Sequence, residues 1–422
     1  MKKLLLSSLV VSMLIFTGCF KDDDTPIIIE ETTIIQNGGD NGSGSTVVDV
    51  SGAIIENTIW TNDNIYRLNQ KVVVDNGATL TIEEGTIIKG TPGTGSLASA
   101  LIVARGAKIN AVGTPTQPII FTSSTDNIEV GQTAGTNLDE NDRGLWGGLI
   151  VLGYAPCSLS GDITEAQIEG IPADDTFGLY GGTDPEDNSG VLSYISIRHG
   201  GALIGEGNEI NGLTLGGVGN GTIINNIEVV ANVDDGIEFF GGTVNASNLM
   251  VWAQGDDALD IDQAYSGTID NAVVVLGDFS DHAFEIDGPE GSATGSFTLQ
   301  NATIIGNLTT ENGEYADYRS KAMGHTSNIY AYGFKASSDI ELDNDGVATN
   351  YNDGLLTFGT WEIVLPDGVA DVTSLFANKA ENVTVTGFGD TASAVTLGSQ
   401  TVGASTSGLA WTYTNTKSDL GF

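Results

Sequence analysis

The chain is poor in basic residues: 15 Lys and Arg stand against 55 Asp and Glu, a formal net charge of −40 over 422 residues. A surface this acidic is repelled by phosphate backbones and by anionic bilayers, which argues against nucleic-acid binding. Cysteine is scarce too, with two residues, Cys19 and Cys157. Once Cys19 is set aside, one thiol forms no internal disulfide, so stability must come from an apolar core, backbone hydrogen bonds or bound metal. Beyond the first 16 residues no apolar run approaches the ~20 residues needed to span a bilayer. What is abundant is glycine, 57 residues, alongside short runs of Val, Ile and Thr that alternate with polar residues. That is the composition of a long β protein with many repeated turns.

The first residues are an address. Met1-Lys2-Lys3 precedes an apolar stretch from Leu4 to Phe16, and Thr17-Gly18-Cys19 follows. A basic start, a short apolar core and a small residue before the cleavage point make residues 1–18 a secretory signal peptide. Phe16-Thr17-Gly18-Cys19 resembles a lipobox, which implies a covalent lipid on Cys19. The following Lys21-Asp22-Asp23-Asp24 resembles the acidic export signal of Bacteroidota lipoproteins, which implies an outer-membrane lipoprotein facing the extracellular side. Residues 19–48 then read as an acidic, Gly/Ser-rich flexible tether, holding the folded part about 30 Å from the lipid as a random coil. Contact with membrane is expected through the lipid anchor only.

The body of the chain repeats. Asn226, Asn248, Asn271 and Asn301 each precede a short apolar run, at spacings of 22, 23 and 30 residues. Eight to ten residues after the first three come Asp234-Asp235-Gly-Ile-Glu-Phe, Asp256-Asp257-Ala-Leu-Asp-Ile and Asp281-His282-Ala-Phe-Glu-Ile. Strands repeating at this period are what one coil of a parallel β-helix requires. The expected fold is therefore all-β: a single-stranded right-handed parallel β-helix over 49–369, with long loops, and its last coils and a C-terminal cap over 370–422. The Asn residues are expected to form a ladder at one corner, amide to amide.

Three longer strings carry a family resemblance: Gly144-Leu-Trp-Gly-Gly-Leu-Ile-Val-Leu-Gly, Asn208-Glu-Ile-Asn-Gly-Leu-Thr-Leu-Gly-Gly-Val-Gly and Asp234-Asp-Gly-Ile-Glu-Phe-Phe-Gly-Gly-Thr-Val-Asn. They resemble a family of bacterial surface lipoproteins with a pectate-lyase-like right-handed β-helix, a family without an agreed activity. The resemblance implies the fold more than the function.

Alternation places the candidate chemistry. Ile237, Phe239, Leu259, Ile261, Phe284 and Ile286 are expected to point inward, and Glu238, Asp260, Asp262, Glu285 and Asp287 outward. In register, these carboxylates stack at about 4.8 Å, where neighbours repel by roughly 1 kcal/mol even at the dielectric of water. A cation, raised pKa values or donors from loops must offset that, and an oxygen-rich set with one nearby His favours Ca2+. Asp235, Asp257 and His282 are expected at the preceding corner. Asp235, Asp256, Asp257, His282 and the Arg319-Ser-Lys triplet resemble, in order and spacing, the catalytic segments of polygalacturonases, although the Asn-Thr before the first Asp and the Gly residues flanking His282 are missing. A lyase would need a base beside Ca2+, and only Arg198 and Arg319 are candidates. Trp252 and Tyr265 are candidate sugar-stacking residues.

Three functions follow as expectations. The first is a surface-tethered capture protein for a polymer or nutrient, such as a glycan, working with a TonB-dependent outer-membrane transporter. The second is a polysaccharide hydrolase or Ca-dependent lyase. The third is an adhesin or structural surface protein.

Overall fold

A computed structural model describes residues 35–36, 46–172, 175–203 and 210–422. Cys19 and the Lys21 to Asp24 run lie outside the described residues, as does most of the tether. Among the described residues no helix is long and apolar enough to cross a membrane. Regular pairing begins at Thr46, three residues before the expected start, where Thr46–Ile54 pairs in parallel with Asn64–Val74. A short strand inside the tether, Ile35–Gln36, pairs antiparallel with it, so that segment is not coil throughout.

From there the chain winds as a parallel β-helix whose coils each contribute to three sheets. Around the repeat, Ile223–Val230, Asn245–Trp252, Thr268–Val275, Phe297–Ile305 and Gly324–Tyr332 stack in register. Each of these strands bends once, so its first half belongs to the first sheet and its second half to the second. The third sheet stacks Leu213–Gly216, Ile237–Phe240, Leu259–Asp262, His282–Ile286, Glu314–Tyr318 and Ile340–Leu342.

The bend is where the repeated Asn sits. Asn226, Asn248, Asn271, Asn301 and Asn328 all have left-handed backbone, φ between 54° and 64°. Asn tolerates that conformation better than other residues with a Cβ. The residue therefore turns a continuous strand rather than preceding one. The ladder is interrupted: Asn271 donates to Asn248 Oδ1 at 2.7 Å and Asn328 to Asn301 Oδ1 at 3.0 Å, but Asn301 donates to Asp270 instead of Asn271.

Inside the coils, one continuous apolar core runs the length of the helix. Ile237, Phe239, Leu259, Ile261, Phe284 and Ile286 all lie in it, as alternation requires, followed by Ala316, Tyr318, Ile340 and Leu342. Each fully buried side chain of this size contributes on the order of 1.5–3 kcal/mol.

The C-terminal segment packs apolar residues of its own, Val372, Val385 and Phe388, against the core. Phe376–Asn378 and Ala392–Ala394 complete the last coil. Residues 401–422 then run back along the outside of the second sheet. Glu362 accepts from Thr401, Thr303 from the Ala404 N–H, Asn271 from the Ser405 N–H, and Glu228 from Thr414. Leu409 and Tyr413 cover Val230, Met250, Trp252 and Val273.

Candidate functional site

The outer side of the third sheet carries a file of acids. Strand register sets Glu238 beside Asp260, Asp260 beside Glu285, Glu285 beside Asp317 and Asp317 beside Glu341. Asp262 and Asp287 follow two residues after Asp260 and Glu285 on the same side. At the preceding corner, Asp235, Asp257 and His282 are linked from coil to coil. The Asp257 N–H donates to Asp235 Oδ1 at 2.9 Å, and the His282 N–H donates to Asp257 Oδ1 at 2.7 Å. His282 Nδ1 lies 2.8 Å from the same Asp257 oxygen.

Outward is not the same as exposed. Glu238, Asp260 and Glu285 point outward as expected but keep only 5%, 8% and 9% of their surface. Their own neighbours and the loops that flank the sheet enclose them. The chain leaves the Leu149–Leu152 strand at Gly153, and the segment that follows packs beside this face: Cys157 donates to the Phe240 carbonyl, the Ser158 N–H to the Gln263 carbonyl, and Tyr180 Oη to Gln263 Oε1 at 3.0 Å.

Enclosure changes the charge states. Burial first, and then mutual repulsion, push Asp235, Glu238 and Asp260 well above the ordinary carboxylate range. Burial and the charge of Asp287 raise Asp262 to about 7. Burial and Asp257 raise Glu285 to about 9, against the opposing pull of Arg319. Asp317 rises to about 7 through burial and Glu341, and Asp256 to about 6 through burial and Asp257. Burial alone would lower His282, but its bond to Asp257 and the surrounding acids raise it to about 10.

Two basic side chains serve part of the file. Arg319 contacts Glu285 and Asp287, with Nη2 2.7 Å from Asp287 Oδ2 and Nε 3.9 Å from Asp317. Lys379 bridges Asp339 at 3.0 Å and Glu341 at 2.8 Å. Of the residues picked out in the sequence as metal-binding, Glu238 and Asp260 therefore group with Asp235, while Glu285 and Asp287 go to Arg319. Asp262 flanks both groups.

Asp317, Glu341 and Asp343 escaped the sequence reading. Their signal was present, since Ala316-Asp317-Tyr318 and Ile340-Glu341-Leu342-Asp343 repeat the inward-outward pattern of Phe284-Glu285-Ile286-Asp287. An insertion stretches the step from Glu285 to Asp317 to 32 residues, against 22 and 25 for the two before it, and hides the phase.

Other candidates lie elsewhere. Arg198 is on the second sheet, buried, with Nε donating to Ser196 and Nη2 3.8 Å from Glu228, far in topology from any lyase centre on the third sheet. His199 is buried beside it, Nδ1 2.6 Å from the Asp142 carbonyl. Tyr265 is 1% exposed in the central core, with its hydroxyl on the Val244 carbonyl at 2.6 Å, so it presents no ring to a sugar. Trp252 points outward as alternation requires, but Tyr413 covers it with ring centroids 6.3 Å apart. Its remaining edge lines a cavity of about 150 Å³ with Asn141, Arg143, Asp278 and Asn307, too small for a stacking platform.

Comparison with known proteins agrees with this architecture. No significant match was found among curated proteins or among solved structures. The model of the pectate-lyase-like β-helix domain matches residues 52–414, from the first parallel strands into the returning C-terminal segment. The chain is accordingly a member of the pectate-lyase-like β-helix domain family.

Proposed function

We propose that this protein is a polysaccharide-capture protein, tethered through Cys19 to the outer face of an outer membrane and delivering its ligand to a TonB-dependent transporter. The family's β-helix is compatible with a polysaccharide-related role. One observation favours capture over cleavage: the residues a hydrolase would use are committed to holding coils together. Asp235 and Asp257 each spend an oxygen on the backbone N–H of the next coil, and the same Asp257 oxygen faces the His282 imidazole. Arg319, the one Arg on this face among the described residues that could serve a lyase as base, is held by Glu285 and Asp287.

The docking line in this reading is the corner preceding the third sheet. There Asp234, Asp256 and Asp281 stand on successive coils with Asp256 exposed, a repeat that suits hydroxyl groups along a polymer. The acidity of the molecule selects neutral chains, or anionic ones bridged by a cation. A glycan array probed with and without chelator tests this. Binding to one class of polymer, weakened by the Asp256→Asn and Asp281→Asn pair, supports capture; no binding to any glycan removes it.

A hydrolase remains the second reading because exposed Asp256, with a pKa near 6, adjoins the Asp257–His282 pair. A group poised there suits general-acid work. Release of reducing ends from a bound polymer, lost in Asp256→Asn, would favour it.

A further inference from the structure

We propose that Asp235, Glu238 and Asp260 hold one buried divalent cation, with Ca2+ preferred, on the outer side of the third sheet. Oxygens of these three side chains lie within 4.8 Å of one another. All three residues are more than nine-tenths buried.

The position follows from how the rest of the face is neutralised. The Asp257–His282–Glu285 group contains an imidazole, and its Glu285 also meets Arg319. Lys379 reaches the Glu314–Asp339–Glu341 group. The Asp317–Glu341–Asp343 group touches Arg319 through Asp317 and Lys379 through Glu341. The Asp234–Asp235–Asp256 group opens to water at Asp256. Only the Asp235–Glu238–Asp260 group is enclosed and, among the described residues, without an ion-pairing Lys, Arg or His. Residues 173–174 and 204–209 contain no Lys, Arg or His that could supply one.

A second observation points at a ligand. Asp260 Oδ1 is buried and accepts no hydrogen bond. An acceptor enclosed in this way normally has a partner, whether protein, water or ion. The neighbours are arranged around the gap: the Asn211 amide donates to Glu238 Oε2 and so orients it, and Asp235 uses Oδ1 for the Asp257 N–H, which leaves Oδ2 available.

The donor set selects the ion. Oxygen ligands without nitrogen or sulfur suit a hard cation. At Ca–O distances of about 2.3–2.6 Å, oxygens on opposite sides of Ca2+ lie roughly 4.6–5.2 Å apart, so three oxygens within 4.8 Å of one another are within reach of a single Ca2+. Mg2+, at about 2.0–2.1 Å, demands near-ideal octahedral geometry and gives up its waters reluctantly, which disfavours it in an enclosed site. Burial of the site makes it a rivet between coils, adjoining the exposed corner through Asp235.

The test is calorimetric titration of the full, chelator-stripped chain with Ca2+ alone, paired with melting temperature. The expected result is one ion per chain, a higher melting temperature, and Mg2+ binding at least about tenfold weaker. Asp260→Asn should weaken Ca2+ binding by about tenfold or more, while in chelator it melts no lower than the parent because a neutral amide of the same shape has no charge for Glu238 and Glu285 to repel. Glu238→Gln is the second variant, with the same expectation for binding. Glu341→Gln should leave affinity within about twofold, since Lys379 already serves that end. Absence of heat and of any melting shift at millimolar Ca2+ would overturn the assignment. So would affinity that survives both site variants, or that is lost in Glu341→Gln. Failure of glycan capture would leave these results untouched.

Discussion

Arg319 reaches back one coil to Asp287, with Nε 2.8 Å and Nη2 2.7 Å from the same carboxylate oxygen. The contact places a fixed positive charge inside a file of carboxylates that would otherwise repel along its length. Arg319→Ala should therefore lower stability by about 2 kcal/mol, below the 3–5 kcal/mol for breaking a fully buried pair because the guanidinium is partly solvated. Arg319→Lys should recover only part of it, since an ammonium lacks the planar fork that meets Glu285 and Asp287 together. Urea denaturation of the three proteins checks this; equal midpoints for parent and Arg319→Ala would contradict it.

The returning C-terminal segment makes a second prediction. Glu228 is fully buried and accepts from the Thr414 N–H at 2.7 Å and the Thr414 hydroxyl at 2.8 Å, 186 residues away, while Arg198 stands over the Tyr413 ring. Deleting 404–422 leaves Glu228 and Arg198 without these contacts and uncovers Trp252 and Met250. A loss of about 3–5 kcal/mol is expected, with Trp252 becoming accessible to quenchers. Unchanged melting of the truncated chain would show that the segment rests on the coils without holding them.

At the bend, Asn271→Ala should cost about 2–3 kcal/mol. It loses the bonds to Asn248 and to Ser405 and keeps a left-handed φ of 64° that Ala adopts at a penalty. Asn271→Gly should cost less, because only the hydrogen bonds go. Thermal melting of the two variants ranks them; Gly worse than Ala would refute the conformational part.

The pH response of metal-free protein should run opposite to acid denaturation. Glu285 near 9, Asp262 and Asp317 near 7 and Asp256 near 6 all sit above their unfolded values near 4. A group raised on folding contributes stability below its unfolded pKa and loses it as pH climbs through the folded value. His282, raised to about 10 from 6.5, has the same sign. In chelator, melting temperature should fall from pH 5 to pH 9, and Ca2+ should flatten the fall. A flat or rising profile in chelator would contradict this.

Much of this was legible in the chain. The period of Asn226, Asn248 and Asn271 gave the coil, and the alternation around Ile237, Leu259 and Phe284 gave inward and outward sides, because both depend on local backbone geometry. Tyr265 was picked out by residue type alone, and only the folded chain shows its ring in the core with its hydroxyl on the Val244 carbonyl. Enclosure of Glu238, the clamp of Arg319 and the cover over Trp252 arise from segments remote in sequence, and no local period encodes them.

The most direct test offers the full chain, with Ca2+ and with chelator, to a panel of soluble polysaccharides and measures retention and product release in the same samples. The account predicts that one class of polymer is retained and recovered at its original length, with no new reducing ends or unsaturated ends. Shortened polymer from the parent protein but not from Asp256→Asn would show that the acidic corner cleaves what it was proposed to hold.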